Sequence, residues 1–127
     1  MRNRSYKVII AGSRTATSEN TYRLLEQKLD KILKNKSVTH DIVIVSGTAS
    51  GADQLGERYA AYRVDRYPAD WDTYGKRAGY LRNETMAQNA DALVALWDGK
   101  SRGTRHMLNI AKECGLPSRT IYTNHHQ

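Results

Sequence analysis

The apolar residues of the chain fall into two kinds of pattern that alternate from end to end. The first is a short, continuous, β-branched run, the mark of a strand covered on both faces. Residues 6–11 (YKVIIA), 42–45 (IVIV) and 91–97 (DALVALW) are of this kind. Residues 63–67 (RVDRY) alternate and predict a short strand near a sheet edge, and residues 118–122 make a last strand. The second pattern has helical spacing. Tyr22, Leu25, Leu29, Ile32 and Leu33 form one stripe on a helix that Thr17 or Ser18 caps, with Glu19 in its first turn, and that runs to about Lys34. A second helix over 52–60 buries Ala52, Leu55 and Tyr59, with Tyr62 a further candidate. A third is led into by residues 74–80 and ends near Asn89, with Arg82, Asn83 and Met86 on roughly one face. A fourth turns Met107, Ile110, Ala111 and Cys114 inward, stops at Gly115 and is kept from resuming by Pro117. Residues 35–41 read as a polar connection and 68–72 as a loop.

The order β-α-β-α-β-α-β-α-β with short connections predicts an α/β domain. Its sheet is five-stranded and parallel in the order 3-2-1-4-5, with right-handed crossovers and helices on both faces. At 127 residues the chain reads as one domain, residues 1–127, long enough for a full core without disulfide or metal.

All strand carboxyl ends of a parallel sheet lie on one side, so the turns after strands one, two and four converge there. The first turn supplies Gly12, Ser13 and Arg14; the second runs from Ser46 through Gly47, Thr48, Gly51 and Ala52 to Asp53; the third runs from Asp98 through Ser101, Arg102 and Gly103 to Thr104. Each turn alone could need its glycines only for sharpness. Together they describe a cradle in the crevice between strands one and four, where glycine lets the backbone approach an anion and helix N-termini point N–H groups at it. Arg14, Lys100, Arg102 and Arg105 stand nearby, and Asp53 and Asp98 add acceptors suited to a ribose hydroxyl or a base edge.

Charge sharpens this picture. A net charge of +7 fits anionic partners: nucleotides, nucleic acid or phosphorylated metabolites. Lys28, Lys31, Lys34 and Lys36 instead read as a solvated helix face. Phenylalanine is absent, so eight tyrosines and two tryptophans carry the aromatic packing, several with a polar tip near a pocket or surface. No apolar run reaches transmembrane length, and the basic start leads straight into a strand rather than a signal peptide. The single Cys114 cannot form an internal disulfide, which points to the cytoplasm, and His125–His126 has no third ligand in view, so no metal is expected.

At this point the chain resembles the small bacterial and phage members of the SLOG superfamily, the YspA-type Rossmann-like proteins. The resemblance covers nearly the whole chain. It rests on residues 8–14 (VIIAGSR), 45–53 (VSGTASGAD), 67–71 (YPADW), 78–86 (AGYLRNETM), 91–95 (DALVA) and Gly103–Thr104. The superfamily includes LOG phosphoribohydrolases, the DNA-processing protein DprA, and sensor domains that bind NAD-derived nucleotides such as ADP-ribose. By this resemblance Arg82 matches the catalytic arginine of LOG enzymes, while Asn83 stands at their lysine and Met107 at their glutamate. An oxocarbenium-like state needs a carboxylate, which methionine cannot supply; Glu84 or Asp98 are the candidates to replace it.

The expectation is therefore a binding module for a nucleotide or nucleotide-derived ligand of the NAD or ADP-ribose class. Phosphates would lie on the Gly12–Arg14 and Ser101–Thr104 turns, with Arg82 reaching in from the third helix. A sensing or signalling role and a homodimer follow from the resemblance, and no cofactor is required. Two rivals remain: a nucleotide N-glycosidase using Arg82 with Glu84 or Asp98, and a single-stranded DNA binder like DprA. The second draws on the charge, Trp71, Trp97 and the tyrosines, although the basic residues are scattered.

Overall fold

The β-branched runs form the interior of one sheet. The computed structural model describes residues 4–48, 51–59 and 63–123. Its elements run β1 (Arg4–Gly12), α1 (Glu19–Leu33), α2 (Lys36–Thr39), β2 (His40–Ser46), α3 (Ala52–Tyr59), β3 (Arg63–Arg66), α4 (Trp71–Tyr74), a 3-10 turn (Gly75–Arg77), α5 (Ala78–Gln88), β4 (Ala92–Trp97), α6 (Arg102–Glu113) and β5 (Ser118–Tyr122). The sheet is parallel throughout, in the order β3-β2-β1-β4-β5. Fold class and strand order are those the sequence predicts.

Successive residues of a strand face opposite sides, and here both sides are covered. Val8 and Ile10 of β1, with Ile42, Ile44, Val94 and Leu96, pack against Leu25, Leu29 and Leu33 of α1 and against Ala52 and Leu55 of α3. On the opposite face Ile9, Ala11, Val45 and Leu93 meet Met86 and Ala87 of α5 and Met107 and Ala111 of α6. The helices that carry site residues are thereby fixed to the sheet, since each fully buried aliphatic side chain contributes about 1.5–3 kcal/mol. The edge strand β3 carries charges along its length: Arg63 and Lys7 both pair with Asp65, at 3.1 and 3.9 Å.

Boundaries differ from the sequence reading where short elements intervene. The polar connection after α1 contains α2, and the loop after β3 ends in α4, whose start is fixed by Asp70 Oδ1 accepting from the Thr73 N–H at 3.2 Å. The third predicted helix becomes a 3-10 turn followed by α5, because Gly75 adopts φ +58 and closes α4 first. Ser18 is the cap of α1, accepting from the Thr21 N–H at 3.1 Å. Ala60, expected to end the second helix, and Tyr62, a candidate for burial beyond it, lie outside the described residues, as do His125 and His126. No helix among the described residues is long and apolar enough to cross a membrane.

Candidate functional site

The turn after β1 is closed onto its neighbours by backbone contacts. Gly12 has φ +151, and a Cβ there would overlap the Leu96 carbonyl of β4. Ser13 donates its N–H to that carbonyl at 2.8 Å, and its hydroxyl accepts the Asp98 N–H at 3.0 Å. The Ser13 carbonyl accepts the Ala52 N–H at 3.2 Å, tying the first turn to the second. Gly51, at φ +79, allows this approach, since a Cβ there would overlap the carbonyls of Ser13 and Arg14. Ser13 and Ala52 are thus consumed in joining the turns, while the Arg14 side chain is left exposed at the rim.

The second turn is held from below. Ser46 is fully buried, donates its hydroxyl to Glu57 Oε2 at 2.6 Å and accepts the Thr48 N–H at 3.0 Å. Thr48 sits at φ 64, a left-handed conformation unusual for a β-branched residue. In the third turn the Asp98 carboxylate accepts the N–H groups of Lys100 and Ser101, both at 2.8 Å. These backbone bonds, with a smaller contribution from the Ser13 hydroxyl, hold its pKa below the usual carboxylate value. Ser101 caps α6 by accepting the Thr104 N–H at 3.3 Å.

Arg82 enters from α5. Its Nη1 donates to the Gly47 carbonyl and its Nε to Asn83 Oδ1 at 3.0 Å. Burial lowers its pKa, the Asp53 carboxylate raises it and the Arg14 charge lowers it again. A guanidinium remains charged throughout, so Arg82 stands in the cleft as a fixed cation. Asn83, itself buried, donates through Nδ2 to the Gly103 carbonyl at 3.4 Å and meets His106 Nδ1 at 3.2 Å.

These pieces enclose a cleft of about 640 Å³ at the carboxyl edge of the sheet. That volume lies within the range of about 300–1,000 Å³ usual for small-molecule sites. Of the residues singled out from sequence, Gly12, Arg14, Gly47, Thr48, Asp53, Arg82, Asn83, Ser101, Gly103 and Thr104 line it. Ser13, Ser46, Gly51, Ala52 and Asp98 lie behind the lining and hold the turns. Arg102, at the exposed start of α6, and Glu84, exposed on α5, are also outside the lining. Met107 lines the cleft. Asp53 is the acidic residue among the described lining residues, against Arg14, Lys76 and Arg82.

One wall was not anticipated. Pro68, Ala69 and Trp71 after β3, with Lys76, Gly79 and Tyr80, also line the cleft. The signal was available: strand three ends on the same sheet edge as the others, so the loop after it must open there too. Among the described residues no His, Cys, Asp and Glu side chains gather as a metal site.

The profile of the YspA, cpYpsA-related SLOG family matches residues 6–74. The Gene 61 protein of Mycobacterium phage D29 is 33% identical to this chain over 120 residues, covering 87% of this chain and 92% of that protein. DNA processing protein A of Helicobacter pylori, in a structure concerned with its single-stranded DNA binding mode, aligns with TM-score 0.69 and 20% identity over 93% of this chain and 66% of that one. DNA processing protein A (DprA) of Streptococcus pneumoniae aligns with TM-score 0.71 and 19% identity over 94% of this chain and 51% of that one. This chain therefore spans just under two thirds of the first and about half of the second, and at such identity the likeness is one of fold.

Proposed function

Because the chain belongs to the YspA, cpYpsA-related SLOG family, we propose that its cleft binds a nucleotide or nucleotide-derived ligand of the NAD or ADP-ribose class, and that the protein serves as a sensor or signalling module. The observation that carries this reading is that Arg14, Lys76 and Arg82 line one cleft together with the glycine turns and the start of α6. Fork-shaped guanidinium groups suit phosphate oxygens, and a helix N-terminus favours the same charge. Asp53 adds a carboxylate to the same lining, beside the Arg82 guanidinium. A homodimer in the cytoplasm belongs to the same reading.

Calorimetric titration with AMP, ADP-ribose and NAD tests it. Arg82→Ala and Arg14→Ala should each weaken binding by about 1.5–3 kcal/mol, the scale of a charge-assisted hydrogen bond. Unchanged affinity in a folded Arg82→Ala protein would remove that residue from the site. A second reading, binding of single-stranded DNA, is favoured by Trp71, Tyr74 and Tyr80, which are all exposed. The Helicobacter pylori relative in fold binds such DNA. An oligothymidylate titrated beside the nucleotides separates the two.

A further inference from the structure

The wall formed by the loop after β3 has a composition that phosphate binding does not explain. Trp71 is 52% exposed and Tyr80 44% exposed, yet both line the cleft. Large aromatic rings left half open at a concave site are surface that a flat apolar partner would cover. Their positions are fixed from behind. The Tyr67 N–H donates to the Ser46 carbonyl at 2.8 Å, anchoring the loop to the end of β2, and Asp70 caps α4 at the tryptophan. Tyr80 leans on the His106 ring at 4.4 Å between centroids.

Gly79 sets the distance between this wall and the charge. Its missing Cβ would stand 3.3 Å from Trp71 Cη2 and 3.8 Å from Arg82 Nη2. The indole and the guanidinium therefore border one small patch of bare backbone. An aromatic ring on the indole would carry its substituent toward Arg82 without crossing open solvent.

We propose that Trp71 is the base-stacking platform of the cleft, holding the nucleobase of a nucleotide whose phosphate lies against Arg82 and Arg14, with Tyr80 flanking the base. The assignment rests on the nucleotide reading above and gives it a direction: base toward the α4 wall, phosphate toward the glycine turns. Stacking tolerates any base because each has a π-face, so the subsite selects for the presence of a base rather than its identity. Lys76, from the 3-10 turn between the two aromatic residues, adds positive charge to the same wall.

The test compares AMP with ribose 5-phosphate, which keeps sugar and phosphate but lacks the base. Wild-type protein should bind AMP at least ten-fold more tightly, a difference of about 1.4 kcal/mol. Trp71→Ala should bring AMP down to the affinity of ribose 5-phosphate and leave the latter unchanged, while Trp71→Phe restores part of the preference. Arg82→Ala should weaken both ligands by a similar factor. Circular dichroism confirms that each variant folds. Equal affinity for the two ligands in the wild type removes the base subsite but leaves the nucleotide reading standing. Parallel loss of both ligands in folded Trp71→Ala makes Trp71 a wall of the phosphate site and overturns the stacking role. Failure of AMP, ADP-ribose and ribose 5-phosphate alike to bind overturns the nucleotide reading and this assignment with it. Trp71-dependent binding of oligothymidylate without binding of AMP also overturns the assignment, because the base then belongs to a strand.

Discussion

Three side chains in a row decide where the Arg82 charge sits. Arg82 Nε is held by Asn83 Oδ1, and the Asn83 amide is held in turn by the Gly103 carbonyl and His106 Nδ1. With this amide orientation the His106 Nδ1 must accept, which requires the neutral ring. Burial lowers the His106 pKa, and the Glu84 and Glu113 charges oppose that only in part. The folded chain therefore takes up this proton less readily than the unfolded chain. Below the ordinary imidazole value of about 6.5 the unfolded state binds more protons, so stability falls with pH down to the lowered folded value and is unaffected well above it. Urea midpoints at pH 7.5 and 5.5 should drop more in wild type than in His106→Gln, which cannot titrate there; an equal drop in both would show that the partly buried His106 ring is not held neutral. At this scale the sequence was informative about which residues gather at the site and less so about what each side chain does. Ser13, Ser46 and Asp98 occupy the same turns as Arg14, Gly47 and Ser101 and have polar side chains suited to a ligand. Their hydrogen bonds go to protein instead: Asp98 and Ser46 bind backbone N–H groups of their own turns, Ser46 also reaches Glu57 of α3, and Ser13 joins the Asp98 turn, a tertiary contact that no local pattern carries.

Elements with a hydrophobic period were legible, and elements without one were not. The α1 stripe and the continuous runs of β1, β2 and β4 specify burial directly, and they lie where expected. The four-residue helices α2 and α4 have no turn-to-turn repeat and bury none of their residues, so only their end contacts define them. The tryptophan of the aromatic wall lies on α4, so its place is read from where β3 ends rather than from any hydrophobic period. Packing between elements had a further determinant that periodicity does not show. Gly56 lies in the middle of α3, where glycine weakens a helix, yet a Cβ there would drive into the side chain of Ile10. Ile10 is fully buried in the centre of the sheet and has nowhere to move. Gly56→Val should consequently destabilise the fold by about 1–3 kcal/mol through overpacking, although valine has the better helix propensity. Thermal or urea unfolding reads this directly, and a stabilised Gly56→Val protein would mean that α3 does not approach β1 so closely. Because α3 carries Asp53 in its first turn and β1 ends with Gly12, the same variant should also weaken nucleotide binding.

The charge of the cleft bears on whether the protein holds a nucleotide or hydrolyses it. An N-glycosidase must stabilise positive charge developing at the ribose anomeric carbon, and among the residue types at hand a carboxylate does this best. The chain has 13 acidic residues, and among those described only Asp53 lines the cleft. That residue is buried in the first turn of α3 beside the Arg82 guanidinium, where its charge offsets a fixed cation. Glu84 faces away from the lining and Asp98 is committed to two backbone N–H groups. Met107, where the resemblance to LOG enzymes would put their glutamate, presents a thioether from α6 and is 1% exposed. The cleft thus carries an excess of positive charge, suited to holding phosphate and poorly suited to an oxocarbenium ion. The expected outcome is little or no free base released from AMP, followed by chromatography, even at high protein concentration. Met107→Glu would place a carboxylate at a lining position of the cleft, and base release appearing only in that variant, folded by circular dichroism, would identify the missing group by restoring it. Wild-type turnover abolished by Asp53→Asn, in a protein that still folds and binds AMP, would make Asp53 the carboxylate of an enzyme and the binding-module reading would fall.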